Sequence, residues 1–133
     1  MLIASLTPEA MSGRVLARLE TLSSDQLFIS DWVSTEISSA LSLKVRTRTL
    51  AHVDQTAALA AFQHLVAESL RVLPVTPEHF KTAARYADRA DLGLRAGDAF
   101  HLAMCTAQGL ALFTLDRRLR DACLTVGVEV IEV

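Results

Sequence analysis

Three acidic side chains lie where carboxylates could do chemistry. Asp116 directly follows an apolar segment, Glu36 lies in the second turn of a predicted helix, and Asp98 begins the most apolar helix of the sequence. Carboxylates that are held close together repel one another, and a bound cation relieves that repulsion. Oxygen ligands of this kind suit Mg²⁺ and Mn²⁺. The three acids therefore predict a divalent-metal site that activates water and stabilises a transferring phosphoryl group.

Each of these acids also has a purely structural interpretation. Asp116 could cap the helix that starts at residue 117, and Asp98 could cap its own helix. Glu36 could be a solvated helix residue, although it borders the apolar stripe of its helix instead of opposing it. The metal-site hypothesis therefore depends on all three side chains meeting at one edge of one sheet.

Helices and strands alternate along the chain and would position the acids. Strands are predicted at 27–29, 71–75, 111–115 and 128–131, and helices at 9–20, from 31, at 50–69, from 77 to a stop at Gly93, at 98–108 and at 117–125. This alternation is typical of βαβ units with a parallel sheet flanked by helices. Ligands in such α/β sheets bind outside the carboxyl ends of the strands, which the positions of Glu36 and Asp116 follow.

The apolar pattern also predicts which side chains form the core. The helix from 31 buries a stripe at helical spacing, and the helix at 98–108 is apolar enough to be central. The strand at 111–115 shows no polar alternation in its first three residues, so both of its faces should be covered. His101 is interpreted as a hydrogen-bonded core histidine in preference to a metal ligand. The predicted stripes are Val33, Ile37, Ala40 and Leu41 in the first helix and Phe80, Ala83, Ala84 and Ala87 in the helix from 77.

Composition bounds the class of protein. The 133 residues are 51% hydrophobic with only 5% aromatic residues, which predicts one domain with an aliphatic core. The formal charge of −2 excludes a strongly basic nucleic-acid-binding domain but not local basic patches. Two such clusters occur, each either a solvated helix end or a phosphate contact: Lys44, Arg46 and Arg48, and then Arg117, Arg118 and Arg120.

Several other classes have no support in the sequence. No apolar run is long enough for a membrane span, and the start at Met1 does not resemble a signal peptide. Cys105 and Cys123 have no CxxC spacing, which predicts reduced core thiols and a cytoplasmic location. The sequence holds no GxSxG, P-loop or GxGxxG motif, and His52, His64 and His79 are too scattered to suggest a triad.

Three segments in a fixed order resemble a known family. They are 29–41 (ISDWVSTEISSAL), 94–103 (LRAGDAFHLA) and 112–119 (LFTLDRRL), followed by Gly127-Val128. Their order and spacing, which span residues 9–133, resemble the PIN-domain family, and specifically the ribonuclease toxins of VapBC toxin–antitoxin pairs.

The resemblance carries its own expectations. It implies a three-layer α/β PIN-like fold over residues 1–133 and an endoribonuclease whose Mg²⁺ or Mn²⁺ is held by four acids. Three of those positions carry over: Asp98 and Asp116 as direct ligands, and Glu36 as a ligand or a residue that positions water. Thr114 would lie beside the site. The resemblance also implies a homodimer and a cognate VapB-like antitoxin, whose arginine would pair with the same carboxylates.

The N-terminus departs from the family pattern. Members begin with a strand that ends in an Asp, whereas residues 1–9 resemble the segment just after that strand. We therefore expect the fourth acid to be missing: either the start was assigned at an internal Met, or Met1–Ser5 is recruited as a shortened strand without an acid. Gly97 replaces a frequent proline and should loosen the start of its helix. These departures leave a rival hypothesis, a catalytically silent PIN-fold module that acts by dimerising and binding an antitoxin.

Overall fold

The computed structural model describes residues 2–7, 10–22 and 26–132. The chain divides into two compact units, Met1–Pro74 (unit 1) and Val75–Val133 (unit 2). Each unit pairs short parallel strands with several helices, which confirms the predicted α/β class and the parallel pairing. The prediction of a single domain over residues 1–133 stays a prediction.

Unit 1 contains four helices and two strands among the described residues. Strands β1 and β2 pair in parallel, from Phe28 opposite Arg71 to Ser30 opposite Leu73. The core of the unit consists of Ile29, Ile37, Leu41, Ala58 and Phe62. The elements are α1 (Leu2–Leu6), α2 (Ser12–Glu20), β1 (Phe28–Ser30), α3 (Asp31–Arg46), α4 (His52–Ser69) and β2 (Arg71–Leu73).

The first described residues are helical, so the predicted shortened strand at Met1–Ser5 is wrong for residues 2–5, and Met1 lies outside the described residues. Leu2, Ile3 and Leu6 pack on the unit 1 core. A helix puts these three positions on one face, whereas a strand would divide them between two. The hydroxyl of Ser5 donates to the Leu2 carbonyl at 2.8 Å and supports the turn. Of the helix predicted at 9–20, residues 12–20 are helical and Glu9 is not described.

Helix α3 starts directly after β1 and buries Ile37 and Leu41, with Val33 and Ala40 half-buried. The predicted stripe is therefore confirmed. Ser30 occupies the N-cap position, but its hydroxyl makes no capping hydrogen bond and is buried without a partner among the described residues.

Unit 2 contains three helices and two strands among the described residues. Strands β3 and β4 pair in parallel, with Leu112 opposite Val130 and Phe113 opposite Ile131. Leu102 of α6 and Cys123 of α7 are fully buried in its core. The elements are α5 (Pro77–Ala87), α6 (Ala96–Gln108), β3 (Leu112–Phe113), α7 (Arg117–Val126) and β4 (Val130–Ile131).

Helix α6 is central to unit 2, as its apolar sequence predicts, because Ala99, Phe100 and residues 102–105 are all buried. Gly109 ends the helix with a φ of +62°. The strand prediction at 111–115 is correct in position and wrong in extent. Only Leu112 and Phe113 pair, both are half-buried, and Leu115 is exposed. The expectation that both faces are covered is therefore wrong.

Helix α5 buries a different face from the predicted one. Of the predicted stripe only Ala83 is buried, whereas Phe80, Ala84 and Ala87 are exposed and His79 is buried in addition. The buried His79 belongs to a capping box, in which its Nδ1 accepts the Thr76 N–H at 3.1 Å. The helix also ends at Ala87, well before the predicted stop at Gly93, although Gly93 does have a positive φ of +59°.

Replacing His79 by Ala should lower the free energy of unfolding by about 1–2 kcal/mol, because the Thr76 N–H loses its acceptor. Replacing it by Gln, a usual residue at this position of a capping box, should restore most of the loss. Urea denaturation followed by circular dichroism measures both. The control is His64→Ala on the exposed side of α4, which should change stability by under about 0.5 kcal/mol. Equal losses for His79→Ala and His64→Ala would contradict the capping role.

The two cysteines are free and buried, which confirms the predicted core thiols. Both belong to the core cluster of unit 2. Burial raises the pKa of Cys105 to about 12, with a further contribution from nearby Cys123. Burial likewise raises the pKa of Cys123 to about 11.

Within the ranges that the structure describes, no helix combines the length and the apolar composition needed to cross a membrane.

Candidate functional site

Glu36 belongs to unit 1 and follows a parallel strand. Because β1 ends at Ser30 and α3 begins at Asp31, the first turns of α3 lie beyond the carboxyl end of β1. Glu36 is in the second turn, half-buried, and directly precedes the core residue Ile37. Its backbone is therefore fixed by the packing of the core.

Asp98 belongs to unit 2 and lies in the first turn of α6, where it is half-buried. The N-cap residue of that helix is Arg95, so Asp98 occupies the third position of the helix and not the N-cap itself. A carboxylate in the first turn is stabilised by the positive end of the helix dipole. The same helix carries the buried centre of the unit, which anchors Asp98. One turn later, His101 is half-buried.

Asp116 belongs to unit 2 and caps α7. Its Oδ1 accepts the Leu119 N–H at 3.0 Å, so the structural interpretation of this acid is confirmed. The side chain is nevertheless exposed, and a carboxylate offers a second oxygen besides the one that caps the helix. The capping bond therefore orients the side chain and leaves it accessible to a ligand.

Thr114 supports Asp116 through the backbone. Its Oγ1 accepts the Asp116 N–H at 3.1 Å, and this bond holds the turn between β3 and α7. The resemblance placed Thr114 beside the site and gave it no role. The structure shows that Thr114 supports the turn, and the sequence signal for this is a Thr two residues before an Asp, a spacing at which the hydroxyl can bond the backbone N–H.

The basic cluster at the start of α7 is largely occupied within unit 2. Arg118 donates to the Gly93 carbonyl at 3.3 Å, and its stem lies against the Cα side of Gly93, where an added Cβ would come within 3.4 Å of Arg118 Cδ. Arg120 pairs with Asp121 at 3.0 Å. Two of the three arginines in this basic cluster are therefore already engaged in contacts within unit 2.

The donor chemistry of the predicted site suits a hard cation, because Glu36, Asp98 and Asp116 offer only carboxylate oxygens. Among residues 2–7, 10–22 and 26–132, no three or more His, Cys, Asp or Glu side chains are grouped so that they could hold a metal ion. Glu36 belongs to one unit and the two aspartates to the other. The joint site of three acids stays a prediction.

Comparison with known proteins identifies the class. A family model described as the PIN domain matches residues 1–124. The chain therefore belongs to the PIN domain family, whose members are generally nucleases and typically use divalent metals. No curated protein matches the chain.

Proposed function

We propose that this chain is a metal-dependent endoribonuclease of the VapC type, the toxin of a toxin–antitoxin pair, which hydrolyses RNA phosphodiester bonds. The observation that carries the proposal is the PIN-domain match over residues 1–124. Two further features support it. Glu36 and Asp116 each follow a parallel strand, and Asp98 lies at the start of the most buried helix of unit 2.

Each acid has a distinct part in the proposed reaction. Asp98 and Asp116 would hold Mg²⁺ or Mn²⁺, and Glu36 would bind the ion or position the attacking water. The cation, when bound, lowers the pKa of water and stabilises charge on the phosphate. The protein contributes rigidity: the cap bond to Leu119 fixes Asp116, and half-burial restricts Asp98 and Glu36. Fixed carboxylates lower the entropic cost of assembling the site.

The test is cleavage of end-labelled RNA with Mg²⁺, with Mn²⁺ or with EDTA. We expect cleavage with either ion, none with EDTA, and recovery when excess Mn²⁺ is added. Calorimetric titration of the RNA-free chain with Mn²⁺ should show saturable binding. Equal cleavage in EDTA would contradict the proposed chemistry.

A second candidate is a catalytically silent PIN-fold module that dimerises and binds an antitoxin. One observation favours it: Trp32 and Leu43 are 38% and 51% exposed on α3. Eleven residues are close to three helical turns, so the two share one side of the helix, with Glu36 between them. A partner segment could cover these apolar side chains and pair an arginine with Glu36. This module would show little heat on Mn²⁺ titration and no cleavage with either ion.

A further inference from the structure

A concave surface lies where α3 meets α4 in unit 1. It is shallow and open to solvent, with a volume of about 540 Å³. Val45 and Leu50 are half-buried there, and the other lining side chains are exposed. We call this surface the α3–α4 groove; its lining residues are Val45, Arg48, Thr49, Leu50, Ala51, His52 and Asp54.

Hydrogen bonds hold the backbone of the groove in one conformation. The Thr47 hydroxyl donates to the Leu43 carbonyl at 2.9 Å, and the Thr49 hydroxyl donates to the Lys44 carbonyl at 3.1 Å. These bonds occupy carbonyls at the end of α3. Between the two threonines, Arg48 has a φ of +60°, a left-handed conformation that costs a non-glycine residue free energy. The loop therefore presents the Arg48 side chain from a fixed position.

The segment that leads from the end of α3 into the groove is rich in basic residues, in a chain whose net charge is −2. Residues 44–52 hold Lys44, Arg46, Arg48 and His52 and no acid, and Asp54 also lines the groove. Arg46 and Arg48 are exposed, and neither guanidinium forms a hydrogen bond or ion pair with any residue that the structure describes. They differ in this respect from Arg118 and Arg120, which are engaged within unit 2. An uncommitted guanidinium is well suited to bind phosphate oxygens.

We propose that the α3–α4 groove binds the backbone of single-stranded RNA, with Arg48 of its lining and Arg46 at the adjoining end of α3 each contacting a phosphate. The half-buried Val45 and Leu50 would face a ribose or base. The proposal rests on the proposed function, because it takes RNA as the ligand. It also selects between the two basic clusters of the sequence: the cluster at the end of α3 binds RNA, and that of α7 mainly stabilises unit 2.

The decisive variant combines Arg46→Gln with Arg48→Gly. Glycine adopts a positive φ without strain, so the melting temperature should equal or exceed that of the unchanged chain. Fluorescence anisotropy with a labelled single-stranded RNA of mixed sequence, in EDTA and over a salt series, measures affinity. We expect Kd to rise about fivefold or more, from two exposed charge pairs lost. The slope of log K against log salt should flatten by about 1.4, since each single-strand phosphate contact contributes about 0.7.

Two matched variants separate the groove from net charge. The pair Arg89→Gln and Arg120→Gln removes two arginines that are already paired with Asp91 and Asp121, and it should leave the salt slope unchanged. The pair Arg46→Lys and Arg48→Lys keeps both charges and should retain most of the affinity. An unchanged slope in the groove variant, or an equal loss in the paired-arginine variant, would overturn the proposal.

The outcome is distinguishable from failure of the proposed function. A denaturing gel of the same samples shows whether RNA is cut in EDTA, which judges the metal-dependent reaction alone. The salt slope judges the groove alone. Should the groove variant bind RNA normally but lose self-association or antitoxin binding, the groove would be a protein-binding surface, and the RNA proposal would be wrong.

Discussion

An Asp98→Asn chain is expected to cleave RNA at least about a hundredfold more slowly than the unchanged chain. Loss of a residue that merely supports a metal ligand typically costs 10- to 100-fold, and the loss of a proposed direct ligand should cost no less. Asparagine preserves the size of the side chain but removes the charge that holds the cation. Initial rates of cleavage at saturating Mg²⁺, measured as kcat/KM, test this expectation.

The matched control is Asp121→Asn, which removes a carboxylate on α7 that pairs with Arg120. It should cleave RNA at the rate of the unchanged chain. A further variant, Asp116→Asn, keeps an oxygen that can accept the Leu119 N–H, so the helix should persist while activity is lost. Far-ultraviolet circular dichroism checks that the helices remain in all three variants. Full activity of Asp98→Asn would remove that residue from the site.

The second large effect is on stability. Leu41→Ala should lower the free energy of unfolding of unit 1 by about 2–5 kcal/mol, because it removes a side chain that is 0% exposed and leaves a cavity in the core. Trp32 lies on the same helix and is the single tryptophan of the chain. Its fluorescence in a urea titration therefore reports the unfolding of this unit.

The control for this variant lies two residues away on the same helix. Leu43 is 51% exposed, so Leu43→Ala should change the free energy of unfolding by less than about 0.5 kcal/mol. Both substitutions change helix propensity equally, and the difference between them isolates burial. Matching urea midpoints for the two variants would show that Leu41 does not pack as described.

Local sequence patterns predicted helix ends well where clear start signals or stop glycines mark them. Helices α4 and α6 each begin within two residues of the predicted start, and the glycines at 109 and 127 end α6 and α7 in the left-handed conformation. Strand positions were also predicted, and so was the length of β1, but the other three strands are shorter than predicted. A ladder ends where its partner ends: β3 pairs only along Leu112 and Phe113 because β4 covers only Val130 and Ile131.

Two errors came from contacts that periodicity does not register. In α5, the predicted stripe did not include His79, which is buried and accepts the Thr76 N–H. At the N-terminus, the helical packing of Leu2 and Leu6 on the unit 1 core outweighed the expectation of a short strand. In both places a tertiary or capping contact outweighed a weak local preference.

The sequence predicted where each acid lies in its own element, but it could not show whether the acids meet. Strand–helix alternation correctly placed Glu36 and Asp116 after parallel strands, and it left open whether Asp116 was a cap. Arg118 donates a hydrogen bond to the Gly93 carbonyl, 25 residues away in the sequence, and no pattern in the sequence around either residue predicts this contact. Whether Glu36 joins Asp98 and Asp116 is likewise a question of tertiary arrangement, which no pattern within one element can answer.

Burial makes the two cysteine thiols of the folded chain unreactive. The thiolate is the form that reacts with alkylating agents and peroxide, and burial raises the pKa of Cys105 to about 12 and of Cys123 to about 11. Near neutral pH both sulfurs therefore stay protonated and out of reach of electrophiles. The preference of the folded state for the protonated thiols contributes stability in full below the unfolded pKa of about 9, and this contribution is lost as the pH rises from there through about 11 and 12. Maleimide dyes should consequently label only chains that have opened.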